Sequence, residues 1–222
     1  MGLFDFLDDI DFLDIAAKAV AIPLTIAATP IIVAKVTYDM LTEDDIKTST
    51  SKPTWYKNTI VIGPKGSGKT TLAYLLADQE IDKIQPTVEK TTVGTYISDY
   101  PGDEHCVDTD WADAIKKTAC CIYVFNLKSY DDGIPYENHN YQKLVLWHID
   151  LIYDWIKNTH PYYQPQFIVI GTHSDTLEKE APNRILSGIK SELKKRNKEI
   201  SIQPHNLLKI KSETLINTIE RG

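Results

Sequence analysis

From Trp55 onward, short unbroken apolar runs alternate with segments whose apolar residues return every three or four positions. Thr59 to Ile62 is such a run, ends at a glycine, and predicts a buried strand. Thr70 to Ala77 follows with Leu72, Leu75 and Leu76 on one helical face. Val93 to Ser98 reads as a short strand. Trp111, Ala114 and Ile115 stand at i, i+3 and i+4, predicting a helix between Asp110 and Thr118. The continuous run from Ala119 to Phe125 predicts a strand covered on both faces. Residues 140 to 157 carry Leu144, Val145, His148, Leu151, Ile152, Trp155 and Ile156 on one stripe, the mark of a long helix. Phe167 to Ile170 is another buried strand, and Ile185, Ile189 and Leu193 define a further helix. A weak strand within 200 to 211 and a short last helix complete the chain. Strands alternating with helices predict an α/β fold, with a mostly parallel sheet and helices on both faces. Such sheets place ligand sites at the carboxyl ends of their strands.

Residues 1 to 50 follow a different pattern. Leu3, Phe4, Phe6, Leu7, Ile10, Phe12 and Leu13 are interleaved with five aspartates, and sixteen uncharged residues then separate Lys18 from Lys35. A spanning helix needs roughly 20 apolar residues, and this run also holds Pro23 and Pro30. The segment therefore reads as an apolar, acidic helical extension. Its expected role is contact through residues 1 to 40, with a membrane surface, with a partner helix or with the domain behind it. Residues 42 to 54 are polar, end in proline and read as a linker to a domain over 55 to 222.

Composition narrows the class. The chain of 222 residues is 42% hydrophobic and 25% charged, ordinary for a globular protein and unlike disordered or collagen-like chains. Three cysteines, two of them adjacent at Cys120 and Cys121, make no disulfide framework and fit a reducing compartment. A net charge of −7 argues against bulk electrostatic binding to nucleic acid, so no nucleic-acid partner is expected. No secretory signal pattern opens the chain. The expected location is cytoplasmic, with membrane association through the extension.

The strongest chemical signal is Gly63-Pro64-Lys65-Gly66-Ser67-Gly68-Lys69-Thr70, which fits the phosphate-binding loop GxxxxGK[ST]. Its glycines let the backbone wrap phosphates, and amides of residues 66 to 71, including Thr71, would point inward at the start of a helix. Lys69 would reach the β and γ phosphates, and the Thr70 hydroxyl would bind Mg²⁺. Asp99-Tyr100-Pro101-Gly102 lies thirty residues after Lys69 at a predicted strand end. A DxxG there puts the Asp99 carboxylate near Mg²⁺ and the Gly102 amide at the γ-phosphate. Thr172-His173-Ser174-Asp175 follows another buried strand. In that place a carboxylate accepts two hydrogen bonds from guanine N1–H and its amino group, a donor pair that adenine lacks. Taken singly, DYPG also fits a plain turn and THSD a helix cap.

In this order and context the motifs resemble the small GTPases of the P-loop class, a group that includes Ras-like, Arf-like, septin-like and immunity-related members. The resemblance covers 58 to about 215. It implies a three-layer sandwich with five parallel strands and one antiparallel strand, GTP or GDP with Mg²⁺ as ligands, and a protein effector or regulator. Several positions depart from the family. His173 stands where lysine usually packs on the guanine plane. Thr87, Thr91 and Thr92 compete for the switch threonine that senses γ-phosphate through the metal. Pro86-Thr87 resembles the Arf-like pattern and implies a small hairpin turning near Val93-Gly94, whereas Glu89-Lys90-Thr91-Thr92 resembles the immunity-related one. Asp103 stands where Ras-like members carry a water-orienting glutamine, which puts catalysis rather than binding in question. The last guanine-contact motif is matched at best by Ser212-Glu213-Thr214.

The expected function is a guanine-nucleotide switch whose hydrolysis is slow or partner-assisted. Two alternatives stay open. A P-loop ATPase or small-molecule kinase needs arginines over the phosphates, and the chain has only Arg184, Arg196 and Arg221, all late. A nucleotide-bound module that never turns over fits the motifs equally well. The tyrosines at 136, 141, 162 and 163 read as ordinary packing ahead of the alternative, a binding surface.

Overall fold

The computed structural model describes residues 53–80, 89–102, 107–136, 139–159 and 164–221. The N-terminal extension, Thr87 and Asp103 lie outside them. Six strands form one sheet in the order β2-β3-β1-β4-β7-β8. They are β1 (Thr59–Ile62), β2 (Thr91–Val93), β3 (Ile97–Asp99), β4 (Cys120–Asn126), β7 (Gln166–Thr172) and β8 (Ser201–Pro204). Every pairing is parallel except that of β2 with β3. A separate two-stranded hairpin joins β5 (Pro135–Tyr136) to β6 (His139–Asn140).

The apolar runs alternate sides, as the pleat requires. Ile60, Ile62, Cys121, Tyr123, Phe125 and Val169 face one core. That core is closed by α2 (Ala112–Ile115), α4 (Tyr141–Thr159) and α5 (Ala181–Lys195). Val61, Cys120, Ile122, Val124, Ile168 and Ile170 face the other. There α1 (Lys69–Leu76) contributes Leu72, Ala73 and Leu76, and α6 (Ser212–Arg221) contributes Leu215, Ile216 and Ile219. Because both faces are covered, these strands are apolar throughout rather than alternating. A single π turn, Val107–Trp111, leads into α2, and α3 (Leu127–Asp132) follows β4 directly.

The expected single strand over 93 to 98 is two strands. Gly94 adopts φ +63° and the chain turns over 94–96, so Thr91–Val93 folds back antiparallel on Ile97–Asp99. This is the small hairpin that the Arf-like alignment implies. Among the described residues, no helix is long and apolar enough to cross a membrane. Burial pushes the thiols of Cys120 and Cys121 up, so they act as core residues.

One buried polar pair sits under α4. His148 Nδ1 lies 3.0 Å from the Tyr123 hydroxyl, and the imidazole packs edge-on against Trp111 and Tyr123. Burial, with a smaller contribution from His139, pushes the His148 pKa down to about 3. Its folded-state pKa lies below its unfolded value of 6.5, so the unfolded chain takes up the proton first. Stability is therefore full above pH 6.5 and lost as pH falls from there towards 3. The buried ring of His205 is shifted in the same direction. Urea unfolding should show a loss of about 2 kcal/mol between pH 7.5 and pH 5 from His148 alone. His148→Gln should flatten that slope, and an equal slope in the variant would assign it elsewhere.

Candidate functional site

The loops that follow β1, β3, β7 and β8 emerge at one edge of the sheet, because these strands run parallel. After β1 the chain turns sharply. Gly63, Gly66 and Gly68 have φ of +146°, +75° and +90°, values a side chain rarely tolerates. Gly63 also has no room, since a β-carbon there would lie 2.0 Å from the Val124 carbonyl oxygen. The loop closes with Ser67 N–H donating to the Pro64 carbonyl at 3.2 Å, and α1 begins at Lys69. Lys69 is buried and its ammonium donates to the same Pro64 carbonyl at 3.2 Å. Thr71 follows in the first turn of α1, and the Lys65 side chain is exposed.

The DYPG segment is fixed against this loop. Asp99 ends β3, is buried, and accepts a hydrogen bond from the Thr70 hydroxyl at 2.8 Å. Tyr100 N–H donates to the Val61 carbonyl at 3.1 Å, and Trp111 Nε1–H donates to the Pro101 carbonyl at 3.0 Å. Gly102 lies directly on the loop. A β-carbon there would be 2.6 Å from both the Gly63 oxygen and the Lys65 nitrogen, and 2.8 Å from Lys69 Nζ.

THSD joins the same assembly from β7. The Thr172 hydroxyl lies 2.7 Å from the Ser67 carbonyl oxygen and 3.1 Å from that of Phe125. Its one proton is therefore committed to carbonyls, and His173 Nδ1, 2.8 Å away, must be the donor of that contact. His173 takes a left-handed conformation with φ +56° and ψ +32°, uncommon for a residue with a β-carbon. It opens a single 3₁₀ turn, Ser174–Thr176, which presents Asp175 exposed to solvent. Thr176 Oγ1 secures the turn by donating to the His173 carbonyl at 2.7 Å.

The structure thus brings together Gly63, Lys65, Gly66, Ser67, Gly68, Lys69, Thr70, Asp99, Gly102 and Thr172. Thr91 begins β2 level with Asp99, exposed, with its hydroxyl donating to the Glu89 carbonyl at 3.2 Å. Ser212, Glu213 and Thr214 open α6 instead of forming a loop at the strand end. The segment that leaves β8 there is 205–211, where His205 N–H donates to the Gly171 carbonyl at 2.8 Å. Within it, Leu207 reaches the phosphate loop: a β-carbon on Gly68 would lie 3.5 Å from Leu207 Cδ1 and 3.6 Å from Thr172 Oγ1. A Leu in place of the expected serine-led motif left no sequence signal. A second missed residue is Tyr136, whose hydroxyl touches Lys65. Apart from the loop site, a cavity of about 430 Å³ opens beside Lys90, Tyr100, Asp113 and Lys117, and includes no phosphate-loop or THSD residue.

Oxygen donors suit Mg²⁺, which binds through one or two protein groups and phosphates rather than a full protein cage. The Thr70 hydroxyl and Asp99 carboxylate, held 2.8 Å apart beside the loop, fit that donor set.

This is the fold of the P-loop GTPases. Translation elongation factor SelB from Methanococcus maripaludis, in complex with the GTP analogue GppNHp, matches with a TM-score of 0.50 at 22% identity. The match covers 75% of this chain and 33% of that one, so this chain spans about a third of the elongation factor. The Arl6 small GTPase from Trypanosoma brucei, with bound nucleotide analogue GppNp, matches with a TM-score of 0.51 at 16% identity, covering 74% of this chain and 98% of that one. No protein-family model and no curated protein sequence matches the chain.

Proposed function

We propose that the chain binds GDP and GTP with Mg²⁺ and works as a GTPase-like switch whose hydrolysis is slow or assisted by a protein partner. The observation that carries this reading is the 2.7 Å hydrogen bond from the Thr172 hydroxyl to the Ser67 carbonyl. It locks the turn bearing Asp175 to the phosphate loop, so one ligand can meet both. In this reading the loop amides and Lys69 hold the phosphates, and Asp175 accepts from guanine N1–H and its amino group. Thr70 and Asp99 hold Mg²⁺, which when bound neutralises phosphate charge. An adenine nucleotide would leave Asp175 facing a base without that donor pair.

The reading is tested by denaturing the protein purified with Mg²⁺ and identifying what it releases. GDP, GTP or both are expected in near-stoichiometric amount. Release of adenine nucleotide would replace the switch by the ATPase or kinase class.

A further inference from the structure

Tyr136 reaches the phosphate loop from a part of the chain that holds no nucleotide motif. It lies in the β5–β6 hairpin, 71 residues after Lys65. Its hydroxyl accepts a hydrogen bond from Lys65 N–H at 2.9 Å and donates one to the Gly102 carbonyl at 3.2 Å. The ring is braced from behind. It meets Tyr141 edge to face with centroids 5.8 Å apart. Tyr141 is itself buried, and its hydroxyl accepts from Asn126 N–H at 3.0 Å at the end of β4. The hydroxyl is thus delivered by a stack anchored to the sheet.

The two groups it joins already press together. A β-carbon on Gly102 would fall 2.6 Å from the Lys65 nitrogen, so not even a methyl group fits on that side. A phosphoryl group is larger than a methyl group. In the guanine-nucleotide reading the terminal phosphate is held by Lys69, whose Nζ lies 2.8 Å from the same point, so a phosphate entering that space moves Gly102 away from Lys65. Doing so stretches the pair of hydrogen bonds that Tyr136 makes across the same gap. A diphosphate, held by the loop amides and Lys69, makes no such demand.

We propose that Tyr136 is a positioning residue that latches Gly102 to Lys65 and so weakens binding of a nucleoside triphosphate relative to the diphosphate. The latch rests on the guanine-nucleotide reading above. Because Tyr136 emerges from the hairpin between α3 and α4, anything that pulls on that hairpin would shift the balance towards the triphosphate.

Tyr136→Phe keeps the ring and its stack on Tyr141 and removes only the hydroxyl. Dissociation constants for GDP and for the non-hydrolysable analogue GppNHp should be measured with Mg²⁺ on wild type and variant. The ratio of the GppNHp constant to the GDP constant should fall by about fivefold or more, since the hydroxyl makes two intramolecular hydrogen bonds and each is worth about two- to tenfold. A role in packing alone would weaken both nucleotides alike and leave the ratio unmoved, which would overturn the latch. A rise in the ratio would also overturn it, since the hydroxyl would then favour the terminal phosphate. If the wild type binds neither nucleotide, the guanine reading fails and the latch with it. If it binds both and the variant's ratio is unchanged, the latch alone fails.

Discussion

Asp175→Asn should weaken GDP binding by about two orders of magnitude and raise affinity for xanthosine diphosphate. The side chain stands exposed in the middle of a short turn, and it is the only carboxylate in THSD. A carboxylate receiving two donors from one base makes charge-assisted hydrogen bonds, together worth roughly 2 to 4 kcal/mol. The amide can accept only one of the two donors and offers an N–H in place of the second acceptor. Xanthine carries a carbonyl where guanine carries the amino group, so the amide pairs with it. The turn itself should survive, because Thr176 and Thr172 hold it through bonds that do not involve Asp175. Competition of GDP, XDP and ADP against a fluorescent guanine nucleotide reads all three constants. Unchanged GDP affinity in the variant would remove Asp175 from base recognition.

The isolated protein should hydrolyse GTP slowly, below about one turnover per minute at saturating Mg²⁺, and a partner supplying an arginine should accelerate it by roughly 10³ to 10⁵. Asp103 follows DYPG at the position where the resemblance puts a water-orienting glutamine, and an aspartate in that role would add negative charge beside the γ-phosphate. Two of the three arginines are paired with carboxylates outside the loop site. Arg184 pairs with Asp131 at 3.3 Å, and Arg196 pairs with Asp150. Lys65 offers a further cation, since its side chain is exposed from the third position of the loop. Single-turnover hydrolysis by wild type, Lys65→Ala and Asp103→Gln separates these contributions. A slow wild type accelerated by Asp103→Gln is expected. A fast wild type slowed strongly by Lys65→Ala would mean that the loop lysine serves as an internal finger.

The centre of the main sheet was legible because β1, β4 and β7 are apolar on both faces. Thr59–Ile62, Cys120–Asn126 and Gln166–Thr172 stand out as apolar runs, whereas Ser201–Pro204, with Ile202 its one buried residue, left only a weak signal within 200 to 211. The β2–β3 hairpin was read as one strand because each arm has three residues and only Gly94 marks the turn. The phosphate loop and DYPG are local signals, tied to chain spacing, and they meet as their spacing implies. Tyr136 could not be read this way. Its partners Lys65 and Gly102 are 71 and 34 residues distant, and only the folded hairpin brings them together. Leu207 was hidden for the opposite reason. The segment after β8 lacks the serine-led motif sought there, and the nearest match, Ser212, instead begins α6.

The central claim is that one site joins a phosphate loop to a guanine-reading carboxylate. Titration of nucleotide-free wild-type protein with GDP and with ADP, each with Mg²⁺, tests it most directly. GDP should bind at least about thirtyfold more tightly than ADP, the lower end of the 2 to 4 kcal/mol assigned to the Asp175 contacts. Equal affinity for GDP and ADP would contradict the account.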